Sequence, residues 1–310
     1  MKLARFSAAT VEQHALPCVL ALGNFDGVHL GHQALIAAAH EQAQAQGLTV
    51  KVLSFRPLPK AYFSPQSAPA AIYGLREQVA ALHEVGVHTW AVARFNHAFA
   101  ALTADAFIVW LMQVLNPKHL VIGGDFRYGA GRVGDAQTLR QAGMVHGFTV
   151  TVVDEVQQAG TRVSSTQVRA ALARGDVVAA SSLLGRRYAM SGRVIRGQQL
   201  ARTLDMPTAN MAVHEPCALQ YGIYACRVHG SDGMMQPAIA SLGVRPTVNG
   251  SACWLEVHLF DFDGNLYGTC LHVAFVDFIR AEEKFDSLEV LKAQMHADAV
   301  QAKKILDQVP

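Results

Sequence analysis

Nothing in this 310-residue sequence concentrates charge of one sign: no stretch gathers five or six like charges, and the net charge is only +2. A polyanion-coating surface is thereby excluded, and nucleic acid is not an expected partner. Cysteine is sparse too. Cys18, Cys217, Cys226, Cys253 and Cys270 are scattered without a CxxC pair and without histidine at zinc-finger spacing, which points to free thiols in a reducing compartment. No uninterrupted apolar run reaches the roughly 18 residues of a membrane span, and Met1 to Thr10 lack the continuous apolar core of a secretion signal. The expectation is a cytoplasmic protein with no membrane partner. Low-complexity sequence is also missing. With 51% hydrophobic and 16% charged residues the chain reads as compact, and its length favours two domains over one.

From Cys18 to about Val153, short apolar runs alternate with amphipathic stretches, the pattern of β-α units that build a parallel sheet. Strands are expected at Val19 to Leu22, Val50 to Phe55, Thr89 to Ala93, Leu120 to Ile122 and Thr149 to Val153. Leu35, Ile36 and Ala39 mark a helix ending at Gly47, and Leu75, Val79, Leu82 and Val85 a second before Gly86. Thr103 reads as the N-cap of a third, which stops before Pro117. Two short helices follow, Thr166 to Arg174 and Asp176 to Leu184.

From Tyr188 the texture changes to alternating strands, expected at Ala189 to Ile195, Ile223 to Val228, Pro237 to Leu242, Trp254 to Phe260 and Leu266 to Phe275. Asp232-Gly233 and Asp263-Gly264 read as hairpin turns. This half is expected to form a small antiparallel barrel followed by a helix from Ser287 to Leu306, with Leu288, Leu291, Met295 and Ala299 on its apolar face. The expected domains are 1–184 and 185–310.

The segment Gly23-Asn24-Phe25-Asp26-Gly27-Val28-His29-Leu30-Gly31-His32 directly follows the first buried strand and opens the first helix. In an open α/β sheet such a loop lies where ligands bind, and the helix N-terminus offers N–H groups and a positive dipole end to phosphate. His29 and His32 add two donors, and Gly31 lets a phosphate or base approach the backbone. The bland alternative is a pair of surface histidines in a turn. Ser164-Ser165-Thr166-Gln167-Val168-Arg169 is a second helix opening, whose hydroxyls and Arg169 suit either simple capping or a triphosphate.

Together these two segments resemble the signatures of the HxGH nucleotidylyltransferase superfamily. Val121 to Gly129, with Arg132 and Gly134-Asp135, further resembles the flavin-handling segment of the prokaryotic bifunctional riboflavin kinase/FMN adenylyltransferase family, and the similarity runs over roughly residues 15 to 305. The resemblance implies an N-terminal Rossmann-like nucleotidylyltransferase domain with a parallel sheet. It also implies a C-terminal antiparallel β-barrel of riboflavin kinase type with a C-terminal helix. The implied enzyme phosphorylates riboflavin to FMN and adenylylates FMN to FAD, with ATP as co-substrate and Mg²⁺ as cofactor.

By the same resemblance His29 and His32 attend the triphosphate, and Gly23, Asn24, Phe25, Asp26 and Gly31 shape the loop around the ATP. Ser164, Ser165, Thr166 and Arg169 take the leaving phosphates, while Phe55, Arg56, Pro57, Asp125 and Phe126 contact the flavin. The family often has His between two prolines where this chain has Leu58.

In the second half, Pro207-Thr208-Ala209-Asn210 read as bare letters is a turn. Within the resemblance it is the kinase signature, with Thr208 and Asn210 binding Mg²⁺ and ATP phosphates through hard oxygens. Glu256 and His258 share one face of a strand, since side chains two apart point the same way. The resemblance makes Glu256 the base for the riboflavin 5′-hydroxyl; the alternative is an outward-facing acid on a half-exposed strand. Arg280 is the expected flavin contact of this half. Ala201 and Asp205 stand where the family usually has glycines, which leaves a kinase-impaired FMN adenylyltransferase and a non-catalytic flavin or nucleotide sensor as alternatives. The expected partners are small molecules (ATP, riboflavin and FMN), with self-association weak if it occurs.

Overall fold

In the computed structural model, residues 1–10, 15–196, 206–213, 216–230, 235–247 and 250–309 are described. The chain divides into two compact units, Met1–Pro69 with Gln78–Ser164, and Ala70–Glu77 with Ser165–Pro310.

The first unit is built on six parallel strands: β1 (Lys2–Phe6), β2 (Cys18–Leu22), β3 (Thr49–Arg56), β4 (Thr89–Arg94), β5 (Pro117–Gly123) and β6 (Thr149–Val153). Their order across the sheet is β1-β4-β3-β2-β5-β6. The chain therefore moves from β2 one way to β3 and β4, then returns to place β5 on the other side of β2. That reversal opens a crevice beyond the carboxyl ends of β2 and β5, the usual ligand position in such sheets. All five residues of β2 are buried, which is why its sequence reads as a continuous apolar run rather than an alternation.

Helices alternate with the strands from β2 onward: α1 (Leu30–Gln46), α2 (Pro59–Phe63), α3 (Leu75–Glu84), α4 (His97–Ala100), α5 (Ala104–Leu115) and α6 (Ala136–His146). The expected boundaries hold where cap chemistry sets them. Thr103 accepts the Ala106 N–H at the start of α5, and Gly47 ends α1 in the left-handed region at φ 64°. The sequence reading missed β1, a five-residue edge strand whose one ladder partner among the described residues is β4. The two-residue pair β7 (Gln157–Gln158) and β8 (Thr161–Arg162) then leads toward the second unit.

The second unit opens with α7 (Ser165–Leu172) and α8 (Val177–Leu184). Six strands follow: β9 (Ala189–Arg193), β10 (Ala209–Ala212), β11 (Gly222–His229), β12 (Met235–Thr247), β13 (Gly250–Leu259) and β14 (Cys270–Ala281). They pair antiparallel in the order β10-β13-β12-β11-β14-β9, and an Ile195–Asn210 bridge draws the two edges together into a nearly closed barrel. Leu242, Leu255, Val257, Val273 and Phe275 fill the interior.

Three expectations need correction here. Asp263-Gly264 is not a hairpin turn, because it joins β13 to β14, which are not neighbours in the sheet. The last strand is Cys270–Ala281 rather than Leu266 to Phe275, so Phe278, Ile279 and Arg280 lie within it; register shifts against β11 let its apolar pattern slip. The helix α9 (Leu288–Gln308) begins where expected, with Ser287 as its N-cap, and Met295 and Ala299 pack against the barrel core, but Leu288 is exposed and the buried residues are Asp298, Ala302 and Leu306. An aspartate holds a place among them because Arg280 meets it there. Asp232-Gly233, Ala201 and Asp205 lie outside the described residues.

Candidate functional sites

The loop leaving β2 is held in an uncommon backbone shape. Phe25, Gly27 and Val28 have φ of 52°, 82° and 45°, and a β-branched residue such as Val28 rarely adopts that region. Surrounding bonds fix it there. Gln78 Nε2 donates to the Phe25 carbonyl at 3.0 Å, Gln33 Nε2 donates to the Val28 carbonyl at 3.0 Å, and both Phe25 and Val28 are fully buried. Retained strain of this kind marks a shape that the surrounding packing over-determines.

The twist delivers His29 to the N-cap of α1, where its Nδ1 accepts the His32 N–H at 3.4 Å. The two imidazoles stack with centroids 3.7 Å apart, and Phe25 packs against His32 at 5.1 Å. A Cβ on Gly31 would meet the His29 ring at 3.2 Å, so glycine there leaves the stacked ring its space. Asp26 and His29 are buried although polar. Gly23, one step before the loop, donates to the Leu53 carbonyl of β3.

The neighbouring strands bring the other expected residues to the same end of the sheet. Phe55, Arg56 and Pro57 leave the carboxyl end of β3, and Asp125 and Phe126 follow β5, so they flank the β2 loop on its two sides. Arg56 donates to the Gln78 Oε1 and lies 5.4 Å from the centroid of the Trp90 ring. Burial pushes its pKa down, and the Asp26 carboxylate opposes that shift. Phe55 packs among Phe95 and Phe99, and Phe126 stacks beside Tyr128.

Asp125 accepts from Arg162 Nη2 at 2.6 Å, and the same guanidinium reaches Glu155 at 2.8 Å. Sequence reasoning missed both Gln78 and Arg162. Gln78 carried a faint signal, as a polar residue on the buried stripe of an amphipathic helix; Arg162 carried none.

Ser164 closes the first unit, whereas Ser165, Thr166 and Arg169 belong to α7 in the second. Arg169 Nε donates to the Ala70 carbonyl at 2.6 Å, within that second unit.

On the barrel, register brings two expected residues together. Asn210 of β10 stands opposite Glu256 of β13, and Ser241 of β12 opposes Glu256 from the other side. Directly opposed residues share a face. Leu255, Val257 and Leu259 are buried, so Glu256 and His258 point away from the barrel interior and are partly exposed, the outward placement that the sequence reading held as its alternative. His258 Nδ1 lies 2.9 Å from the Pro207 carbonyl, and the Asn210 amide donates to the Thr208 carbonyl at 3.2 Å, which fixes the Pro-Thr-Ala-Asn segment against β13.

Glu256 accepts from Arg245 Nε at 3.2 Å, and Arg245 also reaches Glu282 at 3.6 Å. Burial pushes the Glu282 carboxyl above its usual range, with the Arg245 charge opposing. Arg280 is engaged otherwise: it makes three bonds to Asp298 of α9, the shortest 2.7 Å, and its guanidinium lies 5.5 Å from the Phe285 ring centroid. No group of three His, Cys, Asp or Glu side chains suited to holding a metal occurs among the described residues. No helix among them is long and apolar enough to cross a membrane.

Comparison with known proteins assigns both halves. A family model described as FAD synthetase matches residues 11–167, and one described as riboflavin kinase matches residues 184–306. A relative from Escherichia coli strain K12, called bifunctional riboflavin kinase/FMN adenylyltransferase, is 44% identical over 93% of this chain and 92% of its own length. A Pseudomonas fluorescens relative of the same name is 43% identical over 93% of each chain. Among solved structures, a Streptococcus pneumoniae protein described as a macrolide-efflux protein matches with a TM-score of 0.85 at 29% identity, over 98% of this chain and 99% of that one.

Proposed function

Since the chain belongs to the bifunctional riboflavin kinase/FMN adenylyltransferase family, we infer that it makes FMN from riboflavin and FAD from FMN, consuming ATP in each step. We assign adenylylation to a domain of residues 1–184 and phosphorylation to residues 185–310, a division supported by the two matched ranges. The observation that carries the first assignment is the convergence of the β2 loop, Phe55 to Pro57 and Asp125 to Phe126 at the carboxyl ends of adjacent strands.

For adenylylation, an oxygen of the FMN phosphate attacks the α-phosphorus of ATP. The new P–O bond forms as the bond from the α-phosphorus to the bridging oxygen breaks, and pyrophosphate leaves with that electron pair. No protein nucleophile takes part, so catalysis consists of alignment and charge neutralisation. In our reading Gly23, Asn24, Phe25, Asp26 and Gly31 hold the nucleotide, and His29 and His32 face its triphosphate. Ser164, Ser165, Thr166 and Arg169 serve the leaving phosphates. Phe55, Arg56, Pro57, Asp125 and Phe126 bound the flavin.

For phosphorylation, the riboflavin 5′-oxygen attacks the γ-phosphorus, its proton passes to a Glu256 oxygen, and ADP leaves with the bridging oxygen. The Asn210–Glu256 register supports this reading, because it sets a base beside a phosphate-binding amide. Arg280, committed to Asp298, would meet the flavin through its remaining exposed edge and would be held rigid while doing so.

The donors beside Glu256 are a hydroxyl and an amide oxygen, hard but sparse. Such a set suits a cation that keeps several waters and shares phosphate oxygens, which fits Mg²⁺ held by Thr208 and Asn210. Bound there, Mg²⁺ would neutralise charge on the transferring phosphates.

We place the protein in the cytoplasm, with small molecules as its partners, neither nucleic acid nor membrane, and self-association at most weak. The test is an incubation with riboflavin, ATP and Mg²⁺, and separately with FMN, followed by chromatography of the flavins. FMN and then FAD are expected in the first and FAD in the second. A folded preparation yielding neither product overturns the reading, and FAD from FMN alone overturns its kinase half.

A further inference from the structure

Adenylylation has to distinguish FMN from riboflavin, and the two acceptors differ only by a phosphate. A cation able to meet that dianion must lie at the carboxyl end of the parallel sheet without being consumed by a buried partner. Arg56 does not qualify, since it is tied to the buried Gln78 and its charge is answered by Asp26. Arg127 folds back, donating to the carbonyl of Phe126 at 2.9 Å.

Arg162 is placed differently. It sits on β8 immediately before Val163, whose carbonyl approaches to 3.5 Å of where a Cβ on Gly31 would stand, so its backbone is anchored beside the start of α1. Its guanidinium spans Asp125, which follows β5, and Glu155, which follows β6, at 2.6 and 2.8 Å. All three side chains are about half exposed or more: 47%, 69% and 49%.

Ion pairs between such exposed groups contribute little, so exchanging one carboxylate for another anion has a low cost. A phosphate dianion carries more charge than one carboxylate and can accept paired hydrogen bonds from the same fork. The two carboxylates thus hold the arginine beside the carboxyl ends of β5 and β6, next to the crevice, without locking it. The Arg280–Asp298 pair is the opposite case, because Asp298 is 4% exposed there.

We propose that Arg162 is a specificity-determining residue of the adenylylation site: it leaves Asp125 to bind the phosphate of FMN and so selects the phosphorylated flavin over riboflavin. The inference rests on the adenylyltransferase reading of that crevice. Release from Arg162 also frees the Asp125 carboxylate to accept from the flavin, so phosphate recognition and flavin recognition are coupled through one side chain.

The test measures FAD formation by the unaltered Arg162 chain, Arg162→Ala and Arg162→Lys, each also carrying Glu256→Gln so that riboflavin is not phosphorylated, varying FMN and ATP separately, with riboflavin as a competing ligand. Loss of one charged contact is expected to raise the KM for FMN by about 10-fold or more in Arg162→Ala. The KM for ATP should stay within about twofold, and riboflavin, which has no phosphate contact to lose, should inhibit at least as well as before. Arg162→Lys, which keeps the charge but not the fork, should fall between.

An unchanged KM for FMN, or equal rises for FMN and ATP, overturns the proposal. If Arg162→Ala makes no FAD, the lysine variant decides: a selective rise in the KM for FMN supports the proposal, and no selective rise sinks it. A folded wild type that makes no FAD would instead refute the underlying site, which keeps the two failures apart.

Discussion

The loop after β2 and the β10–β13 ladder are both read as anion cradles, yet they are made of different material. In the parallel sheet the cradle is mostly backbone: a left-handed turn, a glycine that leaves room for a stacked imidazole, and the first turn of α1. In the barrel it is side chains brought into register across strands, Asn210 opposite Glu256, with Arg245 reaching Glu256 and Glu282. A backbone cradle is expected to fail by added volume or altered path, and a side-chain cradle by loss of a single functional group.

The sharpest way to break that contrast is Glu256→Gln. Removing the base should slow FMN formation by about 100- to 10,000-fold while FAD formation from supplied FMN continues, each read by chromatography of the products. Next is His32→Ala, expected to lower FAD formation by about 100-fold or more with FMN formation kept. If either change abolished both activities in a folded protein, the division of labour between residues 1–184 and 185–310 would be wrong.

Asp298→Ala probes what holds the barrel's flavin-side arginine. It strands Arg280 beside a vacated buried carboxylate, and should cost about 3 kcal/mol in denaturant unfolding. Gly31→Ala is smaller. Its Cβ would lie 3.2 Å from the His29 ring, which must move by a few tenths of an ångström, well short of the 1 Å displacement that costs about 100-fold. A several-fold rise in the KM for ATP during FAD formation is expected, with stability unchanged.

The smallest effects are on the dependence of stability on pH, and they run in opposite senses in the two units. His119 is buried between Thr149 and Thr151, and burial lowers its pKa. Its contribution is present above the ordinary histidine pKa of about 6.5 and is lost as pH falls through that value toward the folded one. Glu282 is raised by burial, so its contribution is complete below the ordinary carboxylate range and is lost as pH rises through its folded pKa. His119→Gln should flatten the loss of stability below the ordinary histidine pKa, and Glu282→Gln the loss above the ordinary carboxylate range. Urea unfolding of each variant across pH would check both.

How much of this was legible in the sequence depends on whether the cause was local. The β2 loop, the caps at Thr103 and Gly47, the start of the last helix at Ser287, and the shared face of Glu256 and His258 follow from short-range chemistry and were readable. The opposition of Asn210 and Glu256 was not, because strands far apart in sequence create it. Arg162 was invisible and Gln78 only faintly marked for the same reason: their partners Asp125, Glu155, Phe25 and Arg56 come from other strand ends. Asp298 misled the reading of α9, since a charged residue belongs on a buried stripe only when something as distant as Arg280 meets it. Asp263-Gly264 has the letters of a tight turn, but sheet order, not turn propensity, decides which strands become neighbours.

That sheet order also bears on how the chain emerges from the ribosome. The parallel sheet has its last strand by Val153, whereas β9, made first in the barrel, has its ladder partner in β14, made last. Once Phe260 has cleared the exit tunnel, β10, β13, β12 and β11 can pair, but β11 still shows a bare edge and β9 lacks its ladder with β14. An unprotected edge is a template for foreign strands. The nascent second half therefore stays exposed to chaperones and to its neighbours on the polysome until Ala281 has cleared the exit tunnel, long after the first half can close.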